Sequence, residues 1–278
     1  MSRVRSPAVA GRFYAADPSV LRAAVRGYLR EARDDPALPR SAPPEALVAP
    51  HAGYVFSGPV AGSAYAALAR SGRSPTTVVL IGPAHYRPVR GLAVPTARAF
   101  RTPLGTVPVD GGAMEAARAL PIVQEDDRAH APEHALETQI PFLQVVLGDF
   151  AVVPLLAGAA SGGEVAAVLD ALWGENTLVV ISSDLSHYLP YGEARRRDAR
   201  TAAAVEALDP GAVGPDDACG WMPLRGLLEA ARGRGLGART LDLRNSGDTV
   251  GPRDRVVGYG AFAFGAAAGG SGRDGGHG

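Results

Sequence analysis

Three of the six histidines in the sequence lie just beyond short apolar runs that have the length of buried strands. They are His51, His85 and His187, and the runs that precede them cover residues 46–49, 77–81 and 178–181. A single histidine is more often a packing or surface residue than a ligand, but the same placement after three strands favours a shared function. If the strands are neighbours, their imidazoles converge at one edge of the sheet, an arrangement that suits a transition metal.

Cys219 is the only cysteine, which excludes an internal disulfide. It follows an acidic segment, residues 216–218, and precedes an apolar helical pattern, so we expect the thiol near a helix N-terminus, where a thiolate is favoured. The alternative is a buried, small apolar residue. An open metal site needs at least three protein ligands, and His51, His85 and either His187 or Cys219 can supply them.

The sequence does not support two other kinds of site. The glycines at positions 53, 58 and 62 match neither the dinucleotide-binding pattern nor the P-loop. A serine hydrolase is disfavoured because no serine stands in a Gly-x-Ser-x-Gly segment.

Further candidate residues lie next to these histidines or on a helix. His134 is either a helix histidine paired with Glu137 or a pocket residue that contacts substrate, and the pattern leaves both open. Tyr54, Tyr86 and Tyr188 follow the strand-end histidines closely, and we expect them to line the pocket, although aromatic residues in such positions also serve as packing.

Apolar strand patterns alternate with helical patterns along the chain, which predicts an α/β fold with a central, mostly parallel sheet flanked by helices. Ligands of such sheets bind at the carboxyl ends of the strands. We expect a single domain over residues 1–264 and a disordered Gly-rich tail over residues 265–278. One helix is predicted over residues 132–147, with a kink at Pro141.

Composition excludes several classes of protein. The 278 residues carry no net charge, so no global field attracts nucleic acid or an anionic membrane. There is neither a signal-peptide pattern nor an apolar run of membrane-spanning length, so we expect a cytoplasmic protein. All basic residues are arginine, and alanine and glycine are abundant, which suggests a GC-rich bacterial genome.

Several segments resemble the signature blocks of the Memo family, whose bacterial members are called AmmeMemoRadiSam system protein B. The resemblance extends from about Val4 to Phe264, and several blocks in the same order are more specific than any one alone. Ala15 departs from the proline expected there, at a position without chemistry. The blocks are Val9-Ala10-Gly11-Arg12-Phe13-Tyr14, Pro50-His51-Ala52-Gly53-Tyr54, Gly82-Pro83-Ala84-His85-Tyr86, Glu133-His134-Ala135-Leu136-Glu137, Gln139-Ile140-Pro141-Phe142-Leu143, Ser182-Ser183-Asp184-Leu185-Ser186-His187-Tyr188 and Cys219-Gly220.

The resemblance implies a fold similar to that of class III extradiol dioxygenases and a redox metal, iron first and copper second, bound by His51, His85 and Cys219. A cysteine in place of the carboxylate ligand of those dioxygenases disfavours catechol-type ring cleavage. In that arrangement His187 would transfer protons or orient the substrate, and Asp184 would fix the tautomer of an imidazole.

Two functions follow as expectations. The first is an iron-dependent oxidoreductase that acts with O2 on a small molecule, with a functional link to a radical-SAM protein. The second is a non-catalytic binding protein that uses the same pocket for a metal, a peptide or a phosphoryl ligand.

Overall fold

The computed structural model describes residues 4–32 and 43–267 of the chain. The strands are β1 (Val4–Arg5), β2 (Ala46–Ala49), β3 (Thr77–Pro83), β4 (Leu92–Val94), β5 (Ala99–Thr102), β6 (Gly105–Pro108), β7 (Val123–Glu125), β8 (Ala151–Ala157), β9 (Thr177–Ser182), β10 (His187–Leu189), β11 (Leu236–Asn245) and β12 (Val256–Ala266). The helices are α1 (Pro18–Glu31), α2 (Tyr54–Ser71), α3 (Gly111–Arg118), α4 (Asp127–His130), α5 (Ile140–Val146), α6 (Gly162–Leu172), α7 (Tyr191–Glu206) and α8 (Trp221–Gly233). Short 3-10 helices cover Glu137–Gln139, Pro210–Ala212 and Ser246–Asp248.

The large sheet has the strand order β10-β12-β2-β9-β3-β8-β4-β7, and β11 also pairs with β12. Its four central strands, β2, β9, β3 and β8, are parallel, whereas β12 and β4 join them in antiparallel orientation. The predicted α/β fold with a parallel sheet centre is therefore confirmed, with antiparallel strands added on both flanks. A smaller sheet has the order β1-β5-β6.

Side chains of the central strands alternate between two buried layers, one on each face of the sheet. In β3, Val79 and Ile81 pack in the layer that contains residues of α3, α6 and α8, whereas Val78 and Leu80 pack in the layer that contains residues of α1, α2 and α5. This alternation is the period of two that a strand imposes on its side chains. Both faces are apolar because helices cover both, as the near-continuous apolar runs predict.

The parallel centre brings the ends of β2, β3 and β9 to one edge of the sheet. Ala49 pairs with Ser182 at the ends of β2 and β9, and Ile81 of β3 pairs with Ile181 of β9. The segments that follow these strands carry His51, His85 and Asp184. The strand register thus brings His51 and His85 together as predicted, whereas His187, the third histidine of that prediction, lies at the start of β10 and outside the group of close ligand atoms.

The single helix predicted over residues 132–147 is wrong in its first half. Residues 133–136 are irregular, and helical structure begins with the 3-10 turn Glu137–Gln139 and continues as α5. Glu133 explains the irregular segment, because its Oε1 accepts hydrogen bonds from the main-chain N–H groups of His134 and Ala135 and so competes with helix formation. Pro141 lies in the first turn of α5, where proline is tolerated, rather than in the interior of a longer helix as predicted.

Two further expectations concern the ends of the chain and membranes. Strand β12 extends to Ala266, two residues beyond the predicted domain boundary, because Gly265 and Ala266 pair with Gly237 and Leu236 of β11. The rest of the predicted tail, residues 268–278, lies outside the described residues. Within the described ranges, none of the helices is both long and apolar enough to cross a membrane.

Candidate metal centre

His51 lies at the end of β2, where Pro50 ends the strand, and only 2% of it is exposed. Its main-chain N–H donates to Asp184 Oδ1 at 2.8 Å, and its ring Nδ1 lies 2.9 Å from Ser182 Oγ. Burial, and then the neighbouring His85, lower the pKa of His51 to about 3. The imidazole is therefore neutral at pH 7 and retains a lone pair for a ligand.

His85 follows β3 and is held by a carboxylate. Its Nδ1 lies 2.9 Å from Glu133 Oε1, and its main-chain N–H donates to Glu133 Oε2 at 2.7 Å. Burial raises the pKa of Glu133, but hydrogen bonds from His85 and from the Ala135 main chain outweigh it and lower the pKa to about 2. An ionised carboxylate on Nδ1 leaves the other ring nitrogen free, as in many metal-binding histidines.

His134 completes a group of three imidazoles. One ligand atom from each of His51, His85 and His134 lies within 4.8 Å of the other two, so the group could hold a metal ion. The pKa of His134 is lowered to about 4, mainly by burial and then by His51. The predicted pairing of His134 with Glu137 is wrong, since the ring lies 3.3 Å from both Tyr86 Oη and Glu133 Oε1.

The thiol of Cys219 lies beside the same group, with Sγ 3.3 Å from His51 Nε2. The expected placement is confirmed, because α8 begins at Trp221 and the Cys219 main-chain N–H donates to Asp184 O at 3.2 Å. The expectation of a favoured thiolate is wrong for the protein without a metal. Burial, and then the Asp184 carboxylate, raise the pKa of Cys219 to about 12, which exceeds the stabilisation a helix N-terminus gives.

The roles predicted for Asp184 and His187 have different outcomes. Asp184 accepts a hydrogen bond from the His51 main chain, but its Oδ2 lies 4.0 Å from His51 Nε2, too far to fix the tautomer of that ring. Burial raises the pKa of Asp184. His187 lies at the start of β10 with Nδ1 2.8 Å from Leu185 O, and its proton-transfer role stays a prediction.

An open cavity of about 670 Å³ gives access to these residues. Tyr86 and Tyr188, which are 51% and 61% exposed, lie on its wall as predicted. Tyr188 has a φ of 60°, in the left-handed region that non-glycine residues rarely adopt, and such strain is common at functional sites. The lining residues are His51, His85, Tyr86, His134, Asp184, His187, Tyr188, Leu189, Arg197, Pro215, Asp216 and Cys219.

Tyr54 does not line this cavity, contrary to expectation. It is 5% exposed, and its hydroxyl donates to Thr138 O at 2.6 Å. Its ring packs 5.1 Å from that of Phe142 and 5.5 Å from that of Tyr14. Tyr54 opens α2 and faces the core, so its role is structural.

The sequence analysis did not identify the residues that hydrogen-bond to the imidazoles on the side away from the cavity. Ser182 and Gln139 form a buried hydrogen bond of 2.7 Å beneath His51, and Glu133 holds His85. A spacing pattern could not identify them, because Gln139 lies 43 residues from Ser182 and Glu133 lies 48 residues from His85. Arg197, on α7, was likewise not predicted to reach the cavity.

Comparison with known proteins relates this chain to a family. A family model described as Memo-like protein matches residues 5–263. A MEMO1 family protein of Methanopyrus kandleri is 38% identical, with 94% of this chain and 98% of the relative covered. A MEMO1 family protein of Sulfolobus acidocaldarius is 35% identical, with 94% and 99% covered.

One solved structure supports the fold alone. An uncharacterized protein from Escherichia coli K12 has a TM-score of 0.52 and 18% identity, and the match covers 77% of this chain and 98% of that one. The relatives are mostly archaeal, so the bacterial origin inferred from composition stays a prediction. The family model and the relatives together cover nearly all of the described residues, and the chain belongs to the Memo-like family.

Proposed function

We propose that the chain is a metal-dependent oxidoreductase that acts with O2 on a small molecule, with non-haem iron as the first candidate metal and copper as the second. The observation that carries this proposal is the group of three imidazoles beside a thiol in the lining of an open cavity. Two histidines and a third ligand with vacant positions are typical of non-haem iron sites, and a thiolate also favours copper.

We propose His51, His85 and Cys219 as the ligands. Two ligands of one metal, a nitrogen and a sulfur in tetrahedral geometry, lie about 3.6 Å apart. Cys219 Sγ and His51 Nε2, at 3.3 Å, are already close to that separation. A coordinating thiol is deprotonated outright by the metal, so its high pKa in the metal-free protein is no obstacle.

His134 competes with Cys219 for the third position. Its ring is stacked on that of His85, with the centroids 4.9 Å apart and the planes 15° from parallel. A nitrogen lone pair lies in the plane of its ring, so two stacked rings must rotate before both lone pairs can meet at one atom. A thiolate has no ring plane to reorient, so we assign Cys219 to the third position and His134 to the pocket wall, although the group whose ligand atoms all lie within 4.8 Å of one another is His51, His85 and His134.

The bound metal would supply redox and Lewis-acid chemistry, and the chain must then orient the substrate and move protons. His187 is suited to proton transfer because its Nδ1 donates to Leu185 O, a carbonyl that can only accept, which leaves Nε2 as the nitrogen that can take up or release a proton. The side chain lines the cavity together with Tyr86 and Tyr188, which we propose contact the substrate.

A second candidate function is a binding protein that takes a peptide or phosphoryl ligand without turnover. Arg197 favours this candidate, because it lines the cavity and its guanidinium pairs with the exposed carboxylate of Asp216 at 3.9 Å and donates to the Asp216 carbonyl at 3.1 Å. Exposed pairs of this kind contribute little, so the arginine can exchange that partner for an anionic ligand at small cost.

Oxygen uptake distinguishes the two candidates. Protein loaded with Fe(II) without oxygen is given O2 and a panel of phenols, thiols and cyclic precursors. We expect uptake by the wild type and a loss of about a hundredfold to ten-thousandfold in His187→Ala at unchanged metal content, because the variant lacks only proton transfer. Full metal occupancy without uptake on any member of the panel would favour the binding protein.

A further inference from the structure

A chain of buried hydrogen bonds ends at the ring of His51. Tyr65, in α2, donates through its hydroxyl to Gln139 Oε1 at 2.8 Å, and Gln139 Nε2 donates to Ser182 Oγ at 2.7 Å. Ser182 Oγ lies 2.9 Å from His51 Nδ1. Each of the four residues is at most 2% exposed, so water does not compete for these bonds.

The proton positions in this chain follow from groups that can only accept. Ser182 Oγ lies 2.6 Å from Ala135 O, so the single hydroxyl hydrogen of Ser182 is committed to that carbonyl. Gln139 Nε2 also lies 3.0 Å from Pro50 O, which fixes it as the donor end of the amide. Ser182 Oγ must therefore accept from Gln139.

One lone pair of Ser182 Oγ remains, and it faces His51 Nδ1. Because the hydroxyl has no second hydrogen to donate, the hydrogen between the two atoms belongs to Nδ1. His51 is consequently the tautomer with a proton on Nδ1 and a bare lone pair on Nε2. Nε2 is the nitrogen that lies 3.3 Å from Cys219 Sγ.

We propose that Ser182, oriented by Gln139, is a positioning residue that fixes the tautomer of His51 and directs Nε2 toward the metal. The inference rests on the metal site proposed above. The two histidine ligands then differ in their partners: His85 has the charged carboxylate of Glu133, whereas His51 has a neutral hydroxyl. A carboxylate raises the basicity of an imidazole ligand, and a neutral hydroxyl does so less.

The tautomer can be read in the metal-free protein by long-range ¹H–¹⁵N correlation spectra of ¹⁵N-histidine samples. The His51 signals are assigned by their loss in His51→Gln. We expect a single tautomer protonated on Nδ1 in the wild type and in Ser182→Thr, which keeps the hydroxyl. Ser182→Ala removes the acceptor, so we expect both tautomers and a fall of about 10–100-fold in Fe(II) affinity by chelator competition.

Ser63→Ala is the matched control. Ser63 is 1% exposed and donates to Asp242 Oδ2 at 2.9 Å, so the variant removes an equally buried hydroxyl that has no contact with His51. We expect neither the tautomer nor the affinity to change. A wild-type spectrum with the proton on Nε2 would overturn the proposal even if no variant folds, and so would a single Nδ1 tautomer in Ser182→Ala. Neither readout depends on oxygen uptake, so failure of the oxidoreductase assignment is seen separately.

Discussion

The candidate site has a closed floor and an open rim, and the two are built differently. We call the segments 5–14 and 133–139 the floor. Glu137, at its centre, is 0% exposed, and its carboxylate accepts from Arg5 at 2.6 Å and from the hydroxyl of Tyr14 at 2.5 Å. The main-chain N–H groups of Ala8 and Val9 donate to the same carboxylate. This buried charge is compensated from four sides.

The rim consists of Tyr86, His187 and Tyr188, and its side chains form fewer buried hydrogen bonds than those of the floor. Tyr86 and Tyr188 are more than half exposed, and the Tyr86 hydroxyl lies 3.3 Å from His134 Nδ1, at the limit of a hydrogen bond. The comparison separates two tasks: the floor holds the imidazoles, and under the proposed function the rim would contact the substrate. Changes in the floor should therefore alter stability and metal binding, whereas changes at the rim should leave both nearly intact.

The largest expected effect is on Glu137. Glu137→Ala leaves the buried guanidinium of Arg5 without its anion, and we expect a loss of about 3–5 kcal/mol in the free energy of unfolding. Urea denaturation measures it. The control is Glu125→Ala, which removes an exposed ion pair with Arg118 and should cost at most about 1 kcal/mol. Equal losses in the two variants would contradict the contrast between floor and surface.

Replacing the buried carboxyl of Asp198 should stabilise the protein, in contrast to the loss expected for Glu137→Ala. Asp198 is 2% exposed, and burial raises its pKa from 3.8 to about 6. The unfolded chain therefore ionises it first, and the folded protein is progressively destabilised between the two pKa values as pH rises. Asp198→Asn can still accept from the Ser186 N–H, so we expect a gain on the order of 2–3 kcal/mol above the folded pKa.

This gain should depend on pH in a defined direction. Urea denaturation of Asp198→Asn beside the wild type should give the full gain at about pH 8 and little or none at about pH 3, below both pKa values, where both states mostly hold the proton. A gain that is the same at both pH values would show that the charge of Asp198 is not its cause.

Glu133 tests how the floor acts on the metal. Glu133→Gln keeps an acceptor for His85 Nδ1 but removes the charge, and we expect the Fe(II) affinity to fall about 10–100-fold. Chelator competition measures it. Glu125→Gln, at an exposed carboxylate far along the sheet edge, is the control and should leave the affinity unchanged. An unaffected affinity in Glu133→Gln would remove the carboxylate from the account of His85.

The smallest expected effect is at the rim. Tyr188→Gly and Tyr188→Ala remove the same exposed ring, but alanine retains the Cβ that disfavours a φ of 60°. We expect the glycine variant to exceed the alanine variant by about 1 kcal/mol in stability, with equal metal content in both. An alanine variant as stable as the glycine variant would show that Tyr188 is not strained.

The strand-end histidines could be predicted because local patterns determine them. Apolar runs ended by proline or glycine mark the strands, and parallel pairing brings His51 and His85 to the same sheet edge. The direction of Tyr54 could not be predicted, because only the packing of α2 against Phe142 decides whether the first residue of that helix faces the cavity or the core.

The ionisation state of the Cys219 thiol also could not be predicted from the sequence. A helix N-terminus favours a thiolate, but the burial of Cys219 and the nearby carboxylate of Asp184 reverse the preference, and both are properties of the folded chain. Glu133 and Ser182, which hydrogen-bond to His85 and His51, are distant from those histidines in the sequence and approach them only in the folded chain.

The metal content of the protein tests the central claim most directly. Protein purified without oxygen or chelator is analysed for iron and copper beside His51→Ala, His85→Ala and Cys219→Ala, with His134→Ala as the matched comparison. The account predicts about one iron per chain in the wild type and in His134→Ala, and loss of the metal in the other three variants. Full iron content in both His51→Ala and His85→Ala would contradict the metal centre, and loss in His134→Ala with retention in Cys219→Ala would exchange the third ligand.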